Sequence, residues 1–261
     1  MVDDNPIDPW QVLRRFTAAR IGLGRTGASL QTAEILRFGL AHATARDAVH
    51  LALDVAAQEA ALRNRHGPGL VVHSRAPDRR SYLLRPDLGR RLDDASAARL
   101  ARAAGSLSHG CDLAVVVADG LSALAVQRHA APLLDALQPL LPPDWTRAPL
   151  VIAVHGRVAL GDEIGERLGA RMLLMLIGER PGLSSPDSLG AYLTWAPSRG
   201  RSDAQRNCVS NIRPQGLDYL AAATKIAWLL AEGRRLRLTG VGLKDRSDLL
   251  QGCPESDDVP P

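Results

Sequence analysis

Short unbroken apolar runs, each ended by glycine or a polar residue, punctuate the second half of the chain, whereas the first quarter repeats apolar residues at spacings of three and four. Met172–Ile177 is the clearest run. It contains no turn residue and stops at Gly178-Glu179-Arg180-Pro181-Gly182, so it reads as a strand buried on both faces that ends in a loop. Asp112–Val117 and Leu150–Val154 have the same character, and Leu70–Ser74 and Ala191–Trp195 are further strands. Ser81–Leu84 reads as a shorter extended piece. Between them fall helical patterns: one capped by Asp93 or Ser96 and running to Ala104, one over Ser122–Leu141 restarted or kinked at Pro132, and one over Gly161–Leu168. A last helix is expected over about Leu217–Glu232, followed by a possible strand at Leu236–Gly240. Upstream, Leu36, Leu40, Ala43, Val49, Leu53, Ala56 and Ala60 make Ser29 to about Asn64 helical, with His66-Gly67-Pro68-Gly69 as the stop.

Strands alternating with helices predict right-handed βαβ units. The expected fold is therefore α/β: a Rossmann-like parallel sheet flanked by helices, preceded by a small helical N-terminal region. The division falls at residues 1–66 and 67–261, with a disordered tail expected from about residue 252.

Composition narrows the function. The net charge of +4 could suit nucleic acid, but the basic residues are almost all arginine, with only Lys225 and Lys244 as lysines, and they are scattered among acids. Few aromatics are available for base stacking, so no nucleic-acid partner is expected. Cys111, Cys208 and Cys253 form no CxxC pair, which argues against a disulfide framework or a structural zinc site. No apolar stretch is long enough to span a bilayer, and the acidic start Met1-Val2-Asp3-Asp4-Asn5-Pro6 has no apolar core, so the cytoplasm is the default location.

The candidate chemistry lies at strand ends. Ala118-Asp119-Gly120, His155-Gly156-Arg157, Gly178–Gly182 and Ala196-Pro197-Ser198-Arg199-Gly200 each combine glycine with a polar or charged group. In an all-parallel sheet these four loops line one edge and could frame a ligand crevice. Ile21–Gly27 satisfies G-x-G-x-x-G, yet no strand precedes it and Asp47 lies in a helical stretch, so a turn is the better reading than a nicotinamide site. His42 and His50 share a helix with Glu34 and Asp47 but make no HExxH. Neither a Walker loop nor a G-x-S-x-G elbow occurs. Glu179 beside Arg180 could be an acid-base group or an ion pair, and Cys208 suits a packed residue or backbone contact better than a nucleophile. The residues alone describe a ligand-binding α/β protein with no assembled catalytic constellation.

Six stretches, taken together and in order, resemble one family, the small (light) subunit of ethanolamine ammonia-lyase. They are Ala19–Gly27, Ala45–His50, Tyr82–Leu92, Ala118–Ser122, Gly178–Leu183 and Arg206–Ile212. The resemblance implies an adenosylcobalamin enzyme that converts ethanolamine to acetaldehyde and ammonia. In that family the large subunit, a TIM barrel, holds ethanolamine and the radical-handling residues. The small subunit contributes a Rossmann-like domain, and cobalamin lies between the two. Homolysis of the cofactor's cobalt–carbon bond yields the adenosyl radical that takes a hydrogen from substrate, so the demanding chemistry belongs to the cofactor.

The family's cobalamin contacts in this subunit fall on Val158, Glu179 and Cys208, all expected at the ligand edge. No D-x-H-x-x-G occurs, so histidine ligation of cobalt is not expected. Some relatives' N-termini direct them to a bacterial microcompartment; the short polar leader here leaves the location open between such a compartment and the free cytoplasm. Two other readings stand beside this one: a free-standing nicotinamide or nucleotide enzyme, and a non-catalytic interaction protein using the long N-terminal helix.

Overall fold

The computed structural model describes residues 12–247 except 18, 108 and 109. The leader before Val12, Cys253 and the expected tail lie outside the described residues. Ile21–Gly27 leads into a hairpin, β1 (Arg25–Thr26) paired antiparallel with β2 (Ser29–Leu30), and Gly27 at φ +63° makes its turn. The glycine-rich stretch is thus a turn with no preceding strand among the described residues, which leaves the dinucleotide fingerprint without its context.

The helical stretch that follows is two helices, not one. α1 (Thr32–His50) stops at Leu51, and Asp54, whose carboxylate accepts from Ala57 N at 2.9 Å, starts α2 (Val55–His66). Such caps contribute about 1 kcal/mol each, enough to set a boundary where the apolar period runs on. α1 buries little. Ile35, Leu36, Phe38 and Leu40 are all exposed, while Glu34 is tied to Arg14 and Arg37.

The body is a six-stranded sheet built from β3 (Leu70–His73), β4 (Cys111–Ala118), β5 (Val151–Val154), β6 (Ala170–Gly178), β7 (Leu189–Trp195) and β8 (Arg206–Ile212), in spatial order β3-β5-β4-β6-β7-β8. The first four are mutually parallel, joined through α3 (Arg79–Leu84), α4 (Asp94–Ala104), α5 (Ala123–Leu137) and α6 (Val158–Arg167). β7 runs antiparallel to both neighbours, so the sheet is mixed. α2, α5 and the last helix α7 (Tyr219–Leu236) close one apolar layer, with Leu62, Leu133 and Ile226 against Leu113, Ile152 and Leu174. α4 and α6 close the other, with Leu100, Leu160 and Ile164 against Val116, Ala153 and Met175.

Four expectations change. Ser81–Leu84 lies in helix α3, because Asp78 accepts from Ser81 N at 2.7 Å and caps it. Leu236–Gly240 is no strand. It ends α7 with Arg237 left-handed at φ +55° and passes into a turn at Gly240–Gly242, which is hydrogen-bonded to Asn207. Arg206–Ile212, where the apolar pattern predicts no strand, is the edge strand, bulged against β7 between Leu189 and Ala191. Finally, because β7 is reversed, the Ala196–Gly200 loop lies at the opposite sheet edge from the other three loops.

Candidate functional site

In a doubly wound sheet, the usual ligand crevice opens where neighbouring strands send their chains to opposite faces. Here that point lies between β4, which leads to α5, and β5, which leads to α6. It is filled by protein. The Asp119 carboxylate accepts from Gly156 N at 3.0 Å and from Arg79 Nη1 at 3.2 Å, and the Tyr82 hydroxyl donates to Gly156 O at 3.0 Å. Tyr82 is fully buried between the guanidiniums of Arg157 and Arg79, at 4.3 and 5.0 Å from its ring centre. Burial pushes the Asp119 carboxyl up, against the pull of Arg79 and His155. The Asp119 and His155 loops therefore do not frame an open crevice. They form a rigid support behind the first turn of α6.

The next loop is fitted to this support by glycine. Gly120 has φ +55°, and a Cβ there would lie 2.2 Å from Gly178 O, which accepts from Leu121 N at 2.9 Å. The Ala118–Ser122 and Gly178–Leu183 stretches are thus one joint. Gly120→Ala is expected to cost at least about 1–2 kcal/mol from the left-handed backbone alone, read as a lower urea midpoint, with further loss from the clash.

Beyond α6 the sheet face is open, and there the sequence-designated residues gather. Glu179 follows the last residue of β6. Its Oε2 accepts from the Ser188 hydroxyl and from Asn211 N (3.2 Å), so its partners are these and not the adjacent Arg180. Among the described residues Oε1 accepts no hydrogen bond. The side chain lies over Gly190, where a Cβ would stand 2.9 Å from Oε1, so any other residue at 190 would evict the carboxylate. Two residues along β7 on the same face is half-buried Tyr192, paired in register with Cys208 of β8.

Cys208 is exposed in the middle of the edge strand and not at a strand-end loop, which corrects its expected position. Tyr192 and Cys208 stand side by side as register partners across the two strands. Burial, then Cys208 and Glu179, push the Tyr192 hydroxyl up. Partial desolvation likewise raises the Cys208 thiol, with Glu179 adding to the rise, so at neutral pH it is a neutral thiol and no nucleophile.

Val158 is the first residue of α6, half-buried against the Leu160 and Ile164 layer. One turn on, Gly161 rests on Met175, where a Cβ would lie 2.7 Å from the sulfur, and Met175 pairs with Tyr192. Val158, Glu179 and Cys208 therefore share one sheet face, linked through Met175 and Tyr192. Tyr192, Ser188 and Gly190 belong to the same face and were not singled out by sequence. Tyr192 sat inside a strand whose pairing could not be read, and Gly190 matters only for the space it leaves.

The edge strand is held by a buried ion pair. Arg206 Nη1 meets Asp162 Oδ1 of α6 at 2.5 Å, with the two side chains 2% and 1% exposed. Arg206 Nη2 also donates to Arg201 O at 2.7 Å. This pair fixes β8 to α6 two residues from Cys208.

The arrangement offers a carboxylate with an uncommitted oxygen, a phenol, a thiol and a helix N-terminus whose N-cap makes no side-chain bond. Those groups suit a large ligand edged with amides, since amide N–H groups can meet Glu179 Oε1 and amide oxygens the α6 N-terminus. His42, His50, Glu34 and Asp47 provide no group of three ligands for a metal ion among the described residues.

A family model described as ethanolamine ammonia-lyase light chain (EutC) matches residues 7–244 of the chain. The chain is 58% identical to the ethanolamine ammonia-lyase small subunit of Azotobacter vinelandii over 252 residues, covering 95% of this chain and 93% of that one. It is 55% identical to the protein of the same name from Pseudomonas syringae pv. tomato over 260 residues, covering 98% and 90%. For the one from Ralstonia nicotianae the identity is 54% over 252 residues, covering 95% and 93%.

Proposed function

The chain belongs to the ethanolamine ammonia-lyase light-chain family, and on that premise we propose that it is the small subunit of an adenosylcobalamin-dependent enzyme converting ethanolamine to acetaldehyde and ammonia. In this reading the large subunit holds ethanolamine, and this chain supplies part of the cobalamin site at the interface through Val158, Glu179 and Cys208. The observation that carries it is the Glu179 carboxylate, clamped through Oε2 with Oε1 uncommitted, on an open sheet face shared with Tyr192 and Cys208. A corrin rim rich in amides suits that donor and acceptor set.

Bound adenosylcobalamin would supply the radical chemistry. The chain's own part is to bind, orient and shield. Glu179 accepts from rim amides, the Cys208 thiol and Tyr192 hydroxyl add neutral polar contacts, and Val158 places an aliphatic surface at the mouth of α6. The packed support of Asp119, Tyr82 and Arg79 keeps that first turn from moving. The exposed apolar side chains of α1, Ile35, Leu36, Phe38 and Leu40, offer the large subunit a surface that this chain does not cover itself. No helix among the described residues is long and apolar enough to cross a membrane.

The test is co-purification with a candidate large subunit and measurement of aldehyde released from ethanolamine. Acetaldehyde that requires the pair and added adenosylcobalamin is the expected outcome. A stable pair that neither binds cobalamin nor turns over would leave the interaction-protein reading.

A further inference from the structure

The opposite end of β6 carries a recess, about 26 Å from Glu179 by the rise of an extended strand. Its volume is about 380 Å³, and it is lined by Arg171 of β6, Trp195 at the end of β7, and Arg234 and Arg237 at the end of α7. Arg171 Nη1 and Arg234 Nη2 converge on the same oxygen, Asp112 Oδ1, each at 3.1 Å. The other oxygen of Asp112 is occupied by Thr146 N and its hydroxyl, at 3.0 and 2.9 Å. Burial would raise the Asp112 carboxyl, but the Thr146 bonds and then Arg234 and Arg171 outweigh it and hold it below its ordinary range. Arg237 is exposed and has no hydrogen-bonded or ionic partner among the described residues.

Arginine at a helix C-terminus is commonplace, because it offsets the negative end of the helix dipole. That dipole is worth only about half a charge. With Asp112 counted in full, three guanidiniums around one recess still leave an excess of more than one positive charge. The Arg234 guanidinium lies 4.8 Å from the centre of the Trp145 ring, and Trp195 walls the recess beside it. Planar guanidinium forks lining a concave surface suit tetrahedral oxyanions, which accept paired N–H bonds.

We propose that this recess binds a phosphate-type dianion, either free or carried on an organic molecule, at a site separate from the Glu179 face.

Arginine-selective labelling with phenylglyoxal, read by peptide mass spectrometry on the full chain alone and paired with its large subunit, tests this. Inorganic phosphate is expected to slow labelling of Arg171 and Arg237 several-fold and saturably, while chloride at equal ionic strength does not, and exposed Arg80 and Arg102 keep their rates. Glycerol phosphate is the second arm. Protection by both ligands means the recess accepts esterified phosphate, and protection by inorganic phosphate alone means it takes the free ion. Arg237→Gln, at an exposed position without partners, should leave the fold intact and remove the protection at Arg171. Equal slowing at Arg80 and Arg102, equal protection by chloride, or protection unchanged in Arg237→Gln would overturn the proposal. So would shielding of Arg171 and Arg237 by the large subunit without phosphate, which would make the recess a protein interface.

Discussion

In the assembled pair, Glu179→Ala is expected to weaken adenosylcobalamin binding roughly 10- to 100-fold, since hydrogen bonds to a charged group contribute about 1.5–3 kcal/mol. The substitution does two things. It deletes Oε1, the acceptor uncommitted within the chain, and it releases the Ser188 hydroxyl and Asn211 N–H that now hold Oε2. Glu179→Gln keeps the shape and one acceptor oxygen and should fall between. Titration of the cofactor's visible absorbance into the pair gives the dissociation constant, and circular dichroism of the same sample checks the fold. Unchanged affinity in a folded Glu179→Ala pair would remove Glu179 from the cofactor site.

The larger effect on stability is expected at Asp162. Asp162→Ala leaves the Arg206 guanidinium, 2% exposed, buried beside a void. Removing one partner of such a pair typically costs about 3–5 kcal/mol, because the remaining charge has lost both its counter-ion and its water. Thr194 Oγ1 at 3.5 Å and Arg201 O are neutral acceptors, and Asp203, fully exposed, is too well solvated to take over. The urea midpoint should fall accordingly, and cofactor binding with it, since Cys208 lies two residues along the same strand. A joint replacement, Asp162→Leu with Arg206→Met, should recover most of the loss, because it leaves no charge to desolvate. A midpoint within error of the parent chain for Asp162→Ala would show that Arg206 finds water or another acceptor.

What could be read beforehand was set by burial. β4, β5 and β6 are covered on both faces, so their apolar runs are continuous, and the caps at Asp93 and Ser122 stand where polar residues precede helical periods. β8 was missed because an edge strand needs little apolar surface. Within Arg206–Ile212 only Arg206, Val209 and Ile212 are buried, and one of those is an arginine. The reversal of β7 had a usable signal. Glu179 to Ser188 contains no helical pattern, and a parallel connection needs a crossover of a dozen or more residues, commonly a helix, so an antiparallel return was the cheaper topology.

The same limit applied at the site. Glu179 was legible from its place after a central strand. That Tyr192 meets Cys208, and that Gly190 makes room for the carboxylate, depends on a strand register that neither segment encodes alone. The resemblance supplied Val158 and Cys208, and the register supplies a physical reason for them to share a face.

The bulge in β8 and the Gly240–Gly242 turn bound to Asn207 have a consequence for crowding in the cell. A straight strand with a free row of N–H and C=O groups is a template on which any passing extended chain can polymerise. Here the ladder is broken by the bulge, the turn stands against the Asn207 side chain, and Asn211 O already accepts from Leu217 N, so growth by strand addition is blocked where the sheet would otherwise be stickiest. Association is left to side chains, which can discriminate between partners, and not to backbone, which cannot.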